Sequence, residues 1–289
     1  MLRDLKSLID TSIEATDGMI GSVKDLYFDD RAWVIRYFVV ETGSWLSARR
    51  VLISPVSIDA RPGRRGNLSA TLTKAQVRDS PAIDTNQPVS QQHELSYLRY
   101  YGYACYWSGG GLWGRGAHPG SQASGLDGES TQAIRRADRD ENAHLDAEAD
   151  AEHRPRGDHH LRSCNTVMVY HVAATDGDVG HVAGYLIDPA TWAIRYLVVN
   201  TGPWWLGHEV LLAPQWIDAV RWDDNALVVS VNRAMIRSAP AYSTMMPLRR
   251  EREIDLHRHY GRSGYWADEV GLQNPEFQPL PTAVQQLFP

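Results

Sequence analysis

Hydrophobic and polar positions in this chain alternate in short runs instead of recurring at helical spacing. In VIRYFVV, Val34, Arg36, Phe38 and Val40 fall on one face, and Ile35, Tyr37 and Val39 on the other. β-Branched and aromatic residues on both faces predict a strand covered on both sides. The preceding SVKDLYF predicts a second strand, and DDRA between them a hairpin turn. RVLISP and EVLLAP predict short strands stopped by Pro55 and Pro214, and NLSATLT and NALVVSVN predict the last strong strand of each series. Thr73 and Asn232 are placed to cap short helices, KAQVRDSP and RAMIRSAP, each ended by proline. The aromatic segments Glu94 to Trp107 and Glu253 to Trp266 predict a helical turn lying across the strands. About five or six short strands with turns between them predict a small antiparallel β-barrel.

The same pattern is written twice. WVIRYFVVETGSW at Trp33 to Trp45 returns as WAIRYLVVNTGPW at Trp192 to Trp204. A shift of 159 positions aligns Ala15–Trp107 with Ala174–Trp266 without a gap, at about 35 identities in about 93 pairs. The expected fold is therefore mainly β: two tandem antiparallel barrels, each with a short helix, at 1–108 and 164–270. Residues 109–163 read first as Gly/Ser-rich and then as charged, with few large apolar residues, and predict a disordered linker. Residues 271–289 read as a Pro-rich tail.

The run GxVxDLYFDD, then WVIRYFVVETGxWL, then RRVLISPxSI resembles the PRC-barrel domain, over about 75 residues of each copy. The turn that marks the family falls at Glu41-Thr42-Gly43 and at Asn200-Thr201-Gly202. The resemblance implies a barrel used as a protein–protein adaptor, with no cofactor of its own. In that family the barrel also occurs in the photosynthetic reaction-centre H subunit, behind a membrane helix, and in ribosome maturation factors, behind a different domain. This chain shows neither companion, so neither role carries over.

Charge and composition narrow the classes. A formal net charge of -6 argues against a dedicated nucleic-acid binder. The chain has no long apolar run, so membrane insertion is not expected, and MLRDLKSLID lacks the apolar core of a secretory signal. Two cysteines, Cys105 and Cys164, stand far apart and outside any metal-ligand spacing, which fits incidental thiols in a reducing cytoplasm.

Comparing the copies weighs the candidate chemistry. Glu41 is matched by Asn200, and Arg49 and Arg50 by His208 and Glu209, so these positions hold no shared catalytic group. No histidine in one copy is matched by a histidine in the other. Asp17 and Asp176 match, but each precedes a glycine, Gly18 or Gly177, and reads as a turn residue, as do Gly43 and Gly202. The scattered His118, His144, His153, His159 and His160 have no fixed metal spacing. No catalytic, cofactor-binding or metal residue is therefore assigned. Arg36 and Arg195, mid-strand between Trp and Tyr, are placed to lie over an aromatic face and to grip a partner or line a pocket. Trp45 and Trp204 are paired between copies; Trp205, Trp216 and Trp222 belong to the second alone and are candidate interface residues.

The reading favoured by these residues is a non-catalytic cytoplasmic adaptor that binds another protein, its barrels packed as a pseudo-dimer or homo-oligomer. One alternative is an enzyme or small-molecule-binding protein with a pocket between the barrels, lined by Arg36, Arg195 and the unpaired tryptophans. A second alternative is a ribosome- or RNA-associated factor.

Overall fold

The computed structural model describes residues 1–59, 66–81, 89, 91–107, 110–114, 116–123, 160–202 and 208–267. The described chain is mainly β and forms two sheets. The first contains β2 (Ser12–Ala15), β3 (Gly18–Asp29), β4 (Val34–Thr42), β5 (Arg50–Ile53) and β6 (Leu68–Ser69), in the order β5-β4-β3-β2-β6. The second contains β8 (His171–Ala174), β9 (Gly177–Ile187), β10 (Ile194–Asn200), β11 (Glu209–Leu212), β12 (Ile217–Arg221) and β13 (Ala226–Val229), in the order β11-β10-β9-β8-β13-β12. Helices α1 (Lys74–Arg78) and α2 (Gln91–Tyr101) follow the first sheet. Helix α3 (Gly120–Ala123) comes before the second. Helices α5 (Arg233–Arg237) and α6 (Arg250–Tyr260) follow it.

The expected closed barrels are not found. In each half the chain crosses the gap between the outer strands through a 3-10 turn, Pro55–Ser57 or Pro214–Trp216, which breaks the ladder. Proline has no N–H to donate, so the sheet ends there as an open seam.

The halves exchange their leading segments. β1 (Arg3–Asp4) pairs with β9 of the second sheet, Arg3 opposite Ile187 and Asp4 opposite Leu186. β7 (Leu161–Ser163) pairs with β3 of the first, Arg162 opposite Phe28 and Ser163 opposite Tyr27. The 159-residue shift carries the first pairing onto the second, pair for pair. After each arm comes one short helical turn, Leu5–Leu8 or α4 (Cys164–Val167), and Leu5, Leu8, Cys164 and Val167 are all buried. Both turns are capped the same way, by the Asp4 carboxylate accepting from Lys6 N and the Ser163 hydroxyl oxygen accepting from Thr166 N.

The centre of the exchange is a pair of backbone hydrogen bonds between the halves. Ile35 N donates to Trp192 O (2.9 Å), and Ile194 N donates to Trp33 O (2.7 Å). Both tryptophans have left-handed backbones, φ +54° at Trp33 and +60° at Trp192. A bulky residue adopts that region at a cost of order 1–3 kcal/mol, held where the surroundings over-determine it. Here the conformation turns each Trp carbonyl toward the opposite half. Phe38 meets Trp192 edge-on, ring centroids 5.0 Å apart.

One hydrophobic core runs through both sheets, from Leu5, Phe28 and Phe38 to Tyr185, Val199 and Trp216. A smaller cluster under α2 holds Tyr37, Val39, Leu52, Tyr97 and Leu98. Strand β4 is covered on both faces as its pattern predicts, but its alternation slips at the start. Val34 and Ile35 both join the main core, because a bulge between the Tyr27 and Phe28 pairings re-aims the strand.

The expected boundaries at 108 and 164 are crossed in three places. β1 belongs to the second sheet, β7 to the first, and residues 110–114 and 116–123, expected in the linker, lie on the folded body with Trp113 only 2% exposed. A lone tryptophan in a glycine-rich run gives no periodicity, so the sequence pattern could not reveal its docking. Residues 124–159, with His144, His153 and His159, and the tail 271–289 lie outside the described residues.

Candidate functional site

Each half contains the same buried polar cluster, built on β4 or β10 and the helix that crosses it. In the first half Tyr37 OH and Tyr106 OH both donate to Glu94 Oε1, at 2.8 and 2.7 Å. In the second Tyr196 OH and Tyr265 OH converge on Glu253 Oε1, at 3.2 and 3.0 Å. Glu94 is 1% exposed and Glu253 4%. Two hydroxyl donors hold Oε1 of each buried acidic side chain, and a basic side chain stands beside Oε2.

The basic neighbour differs between halves. Glu94 Oε2 lies 3.2 Å from His160 Nε2, whereas Glu253 Oε2 lies 3.1 Å from an Arg250 guanidinium nitrogen. His160 also meets Tyr106 OH at 2.8 Å. The second half has its own histidine from another place: His257 Nε2 lies 3.0 Å from Tyr196 OH. Position 257 corresponds to Leu98 and position 160 to Met1. Each cluster thus holds an imidazole even though no histidine matches between copies. Burial raises the Tyr37 and Tyr106 hydroxyls well above their ordinary range. It also pushes Tyr265 up to about 12, raises the Glu253 carboxyl and lowers the His257 imidazole. These groups are buried and bonded to one another, which suits internal ties better than proton transfer to a substrate.

Beside each cluster sits one of the two candidate arginines. Arg36 is 2% exposed and pairs with Asp29 Oδ2 at 3.1 Å. Its guanidinium carbon lies 3.8 Å from the Tyr106 ring centroid and 4.8 Å from that of Trp113, and it donates to Leu112 O at 2.6 Å. Arg195 repeats half of this: it pairs with Asp188 Oδ2 at 3.2 Å and lies 4.1 Å from the Tyr265 centroid. The stacking expected of both arginines is present, but Arg36 is sealed under Leu112 and Trp113. Arg195 instead lines a cleft of about 470 Å³ with Asp30, Trp33, Pro214, Gln215 and Asp218, residues of both halves. The cleft does not include Arg36, Trp216 or Trp222 in its lining.

The tryptophans divide. Trp216 is 2% exposed and packs on His257 and Tyr260, with ring centroids 5.1 and 4.4 Å away. Trp222 carries the Arg162 guanidinium 3.7 Å from its ring centroid, and Arg162 Nε in turn binds Asp30 Oδ2 at 2.8 Å. Trp45 Nε1 donates to Ile20 O at 2.8 Å and its ring lies beneath Lys74. Trp204 and Trp205 fall outside the described residues.

Asp17 and Asp176 reach farther than a local turn. Their Oδ1 atoms accept from Lys74 N (2.8 Å) and Arg233 N (2.7 Å), at the starts of α1 and α5. Gly18 and Gly177 follow at φ +136° and +122°, where glycine is favoured. Gly43 precedes the 3-10 turn Ser44–Leu46, and Gly202 N donates to Asn200 Oδ1 at 3.2 Å. Cys105 and Cys164 are both buried and outside any disulfide. Among the described residues no set of three or more His, Cys, Asp or Glu side chains could hold a metal ion, and no helix is long and apolar enough to cross a membrane.

The span from β1 through the Pro55–Ser57 turn matches a family model, over residues 3–64. The match is to the PRC-barrel domain. This is the family that the residue pattern resembles. The PRC-barrel match begins at Arg3, the first residue of the strand that this chain lends to its second sheet. Comparison with curated proteins gives no match.

Proposed function

We propose that this chain is a non-catalytic protein-interaction adaptor in which two PRC-barrel-like halves act as one pseudo-dimeric body, working in the cytoplasm. The observation that carries the reading is the use made of the ionisable groups. Both Glu–Tyr–Tyr–His clusters and the Arg36–Asp29 pair are closed inside the fold, where the clusters tie a helix to a strand, and Arg195 at the cleft is held by Asp188. The surface also carries exposed apolar side chains beside α6. Met245, Met246 and Ile254, at the approach to α6 and on it, are 90%, 50% and 40% exposed. Methionine suits such a face, since its flexible thioether repacks against differing partners.

The test is affinity capture from the native host with the intact chain, comparing the native sequence with Met245→Asp/Ile254→Asp. Retention of a stoichiometric protein by the native chain and its loss from the double variant, with unchanged thermal stability, is the expected result. Equal capture by both would remove this surface from the account, and enzymatic turnover of a small molecule by the purified chain would overturn the adaptor reading.

A further inference from the structure

The 159-residue shift relates not only strands but grooves. In the first groove, the segment after Trp107 lies across the junction of the halves. Leu112 O accepts from Arg36, Trp113 Nε1 donates to Thr191 O at 2.7 Å, and His118 Nδ1 lies 3.3 Å from Ala190 O. α3 then packs on the Pro55–Ser57 turn. Shifted by 159, these receiving positions become Arg195, Ala32, Arg31 and the Pro214–Trp216 turn. Arg195, Ala32, Arg31, Pro214 and Gln215 all line the open cleft. The cleft is the equivalent groove on the other side of the pseudo-two-fold axis, with Leu112 of the first segment at its edge and, among the described residues, no counterpart of that segment lying across it.

The first groove is filled by whatever follows its own copy's terminal aromatic pair, Tyr106-Trp107. The equivalent pair is Tyr265-Trp266, and it brings the described chain to the cleft. The Tyr265 ring lies 4.1 Å from the Arg195 guanidinium, which lines it, and the description ends at Ala267. Residues 268–289 continue from there, opening DEVGLQNPEF. Gly271-Leu272 stands five residues past Trp266, where Gly111-Leu112 stands four past Trp107. Leu112 is the apolar residue whose carbonyl meets Arg36, so a leucine is available at nearly the same reach. A departure is that Gln273 follows where Trp113 follows in the first copy, with Phe277 the next aromatic.

The geometry points to a peptide-docking groove at this cleft whose occupant is the chain's own segment beginning at Asp268, anchored by Leu272. Both grooves at the junction are then closed by the stretch that trails each copy, and any partner reaching the second groove competes with that segment. The inference stands apart from the adaptor reading, which does not use the cleft.

A photoreactive benzoylphenylalanine replacing Gln215 in the full-length chain tests it, with digestion and mass spectrometry after irradiation. A probe replacing Val56, the equivalent position, is the control and should label residues 116–123. A probe replacing Ala219, exposed on the same cleft, guards against local misfolding at 215. The expected result is adducts within 268–289 of the same molecule, falling about tenfold with Leu272→Asp, which corresponds to about 1.4 kcal/mol of docking. Irradiating a mixture of isotopically light and heavy chains identifies the source. Absence of adducts in 268–289 with both probes overturns the proposal. Adducts only between light and heavy copies also overturn it, placing a second copy in the groove.

Discussion

Trp113→Ala is the substitution that separates a docked segment from a slack linker. The indole is 2% exposed, its ring centroid lies 4.8 Å from the Arg36 guanidinium carbon, and it donates Nε1–H to Thr191 O. A buried tryptophan removes roughly 150–250 Å² from water, and at about 25 cal/mol/Å² that burial has an upper bound of about 4–6 kcal/mol. Measured truncations of buried aromatics to alanine cost about 3–5 kcal/mol, the lost hydrogen bond included at about 1 kcal/mol. The expected destabilisation is therefore about 3–5 kcal/mol, read as a lower midpoint in urea with an unchanged slope. Trp113→Phe keeps a ring over Arg36 and loses only the donor and part of the area, so it should cost about 1–2 kcal/mol. A Trp113→Ala loss below about 0.5 kcal/mol, the range of exposed surface positions, would refute the docking of residues 110–114.

Three further substitutions probe different layers. Gly180→Ala should abolish folding or cost more than about 4 kcal/mol, since a Cβ at φ +154° would lie 1.8 Å from Asn200 O; soluble expression and circular dichroism would show it, and a stable native-like variant would contradict it. Gly21→Ala should behave alike, with its Cβ 2.0 Å from Glu41 O. Burial lowers the His257 imidazole below its ordinary 6.5, so the folded state binds fewer protons than the unfolded state there. The stability linked to His257 is thus present above pH 6.5 and lost as pH falls through the lowered folded value. Glu253, raised by burial, acts oppositely: its contribution is present below 4.5 and lost as pH rises through its raised value. His257→Leu, which installs the residue found at position 98, should remove the acid-side loss in urea titrations from pH 7.5 to 5, leaving the Glu253 trend. An unchanged difference between the two pH values would contradict the assignment.

Local chemistry made the elements legible and topology hid the rest. The two strands of each hairpin, the capped helices at Thr73 and Asn232 and the stacking of Arg36 and Arg195 follow from alternation, capping residues and a Trp-x-Ile-Arg-Tyr pattern. The open seam was masked because Pro55 and Pro214 read equally well as strand stops within a closed barrel. The arm exchange was illegible because Arg3–Asp4 and Leu161–Ser163 are too short to carry periodicity, and a strand's pattern does not say which sheet it joins. Glu94 and Glu253 stand outside the candidate residues, though the repeat preserves them together with both tyrosines of each cluster. That fourfold match, at Arg36, Tyr37, Glu94 and Tyr106, is the available signal. His160 and His257 could not have been matched by alignment, since they approach their clusters from non-equivalent segments.

The central claim is that the two halves are one body, locked by β1 on the second sheet and β7 on the first. Its most direct test is a single backbone cut between Ala123 and His160, by a protease site placed there, followed by size-exclusion chromatography with light scattering. The account predicts that both fragments remain together at the intact mass, 32.4 kDa plus the inserted site, because no contact described between the halves depends on that connection. Two folded fragments eluting separately would contradict it.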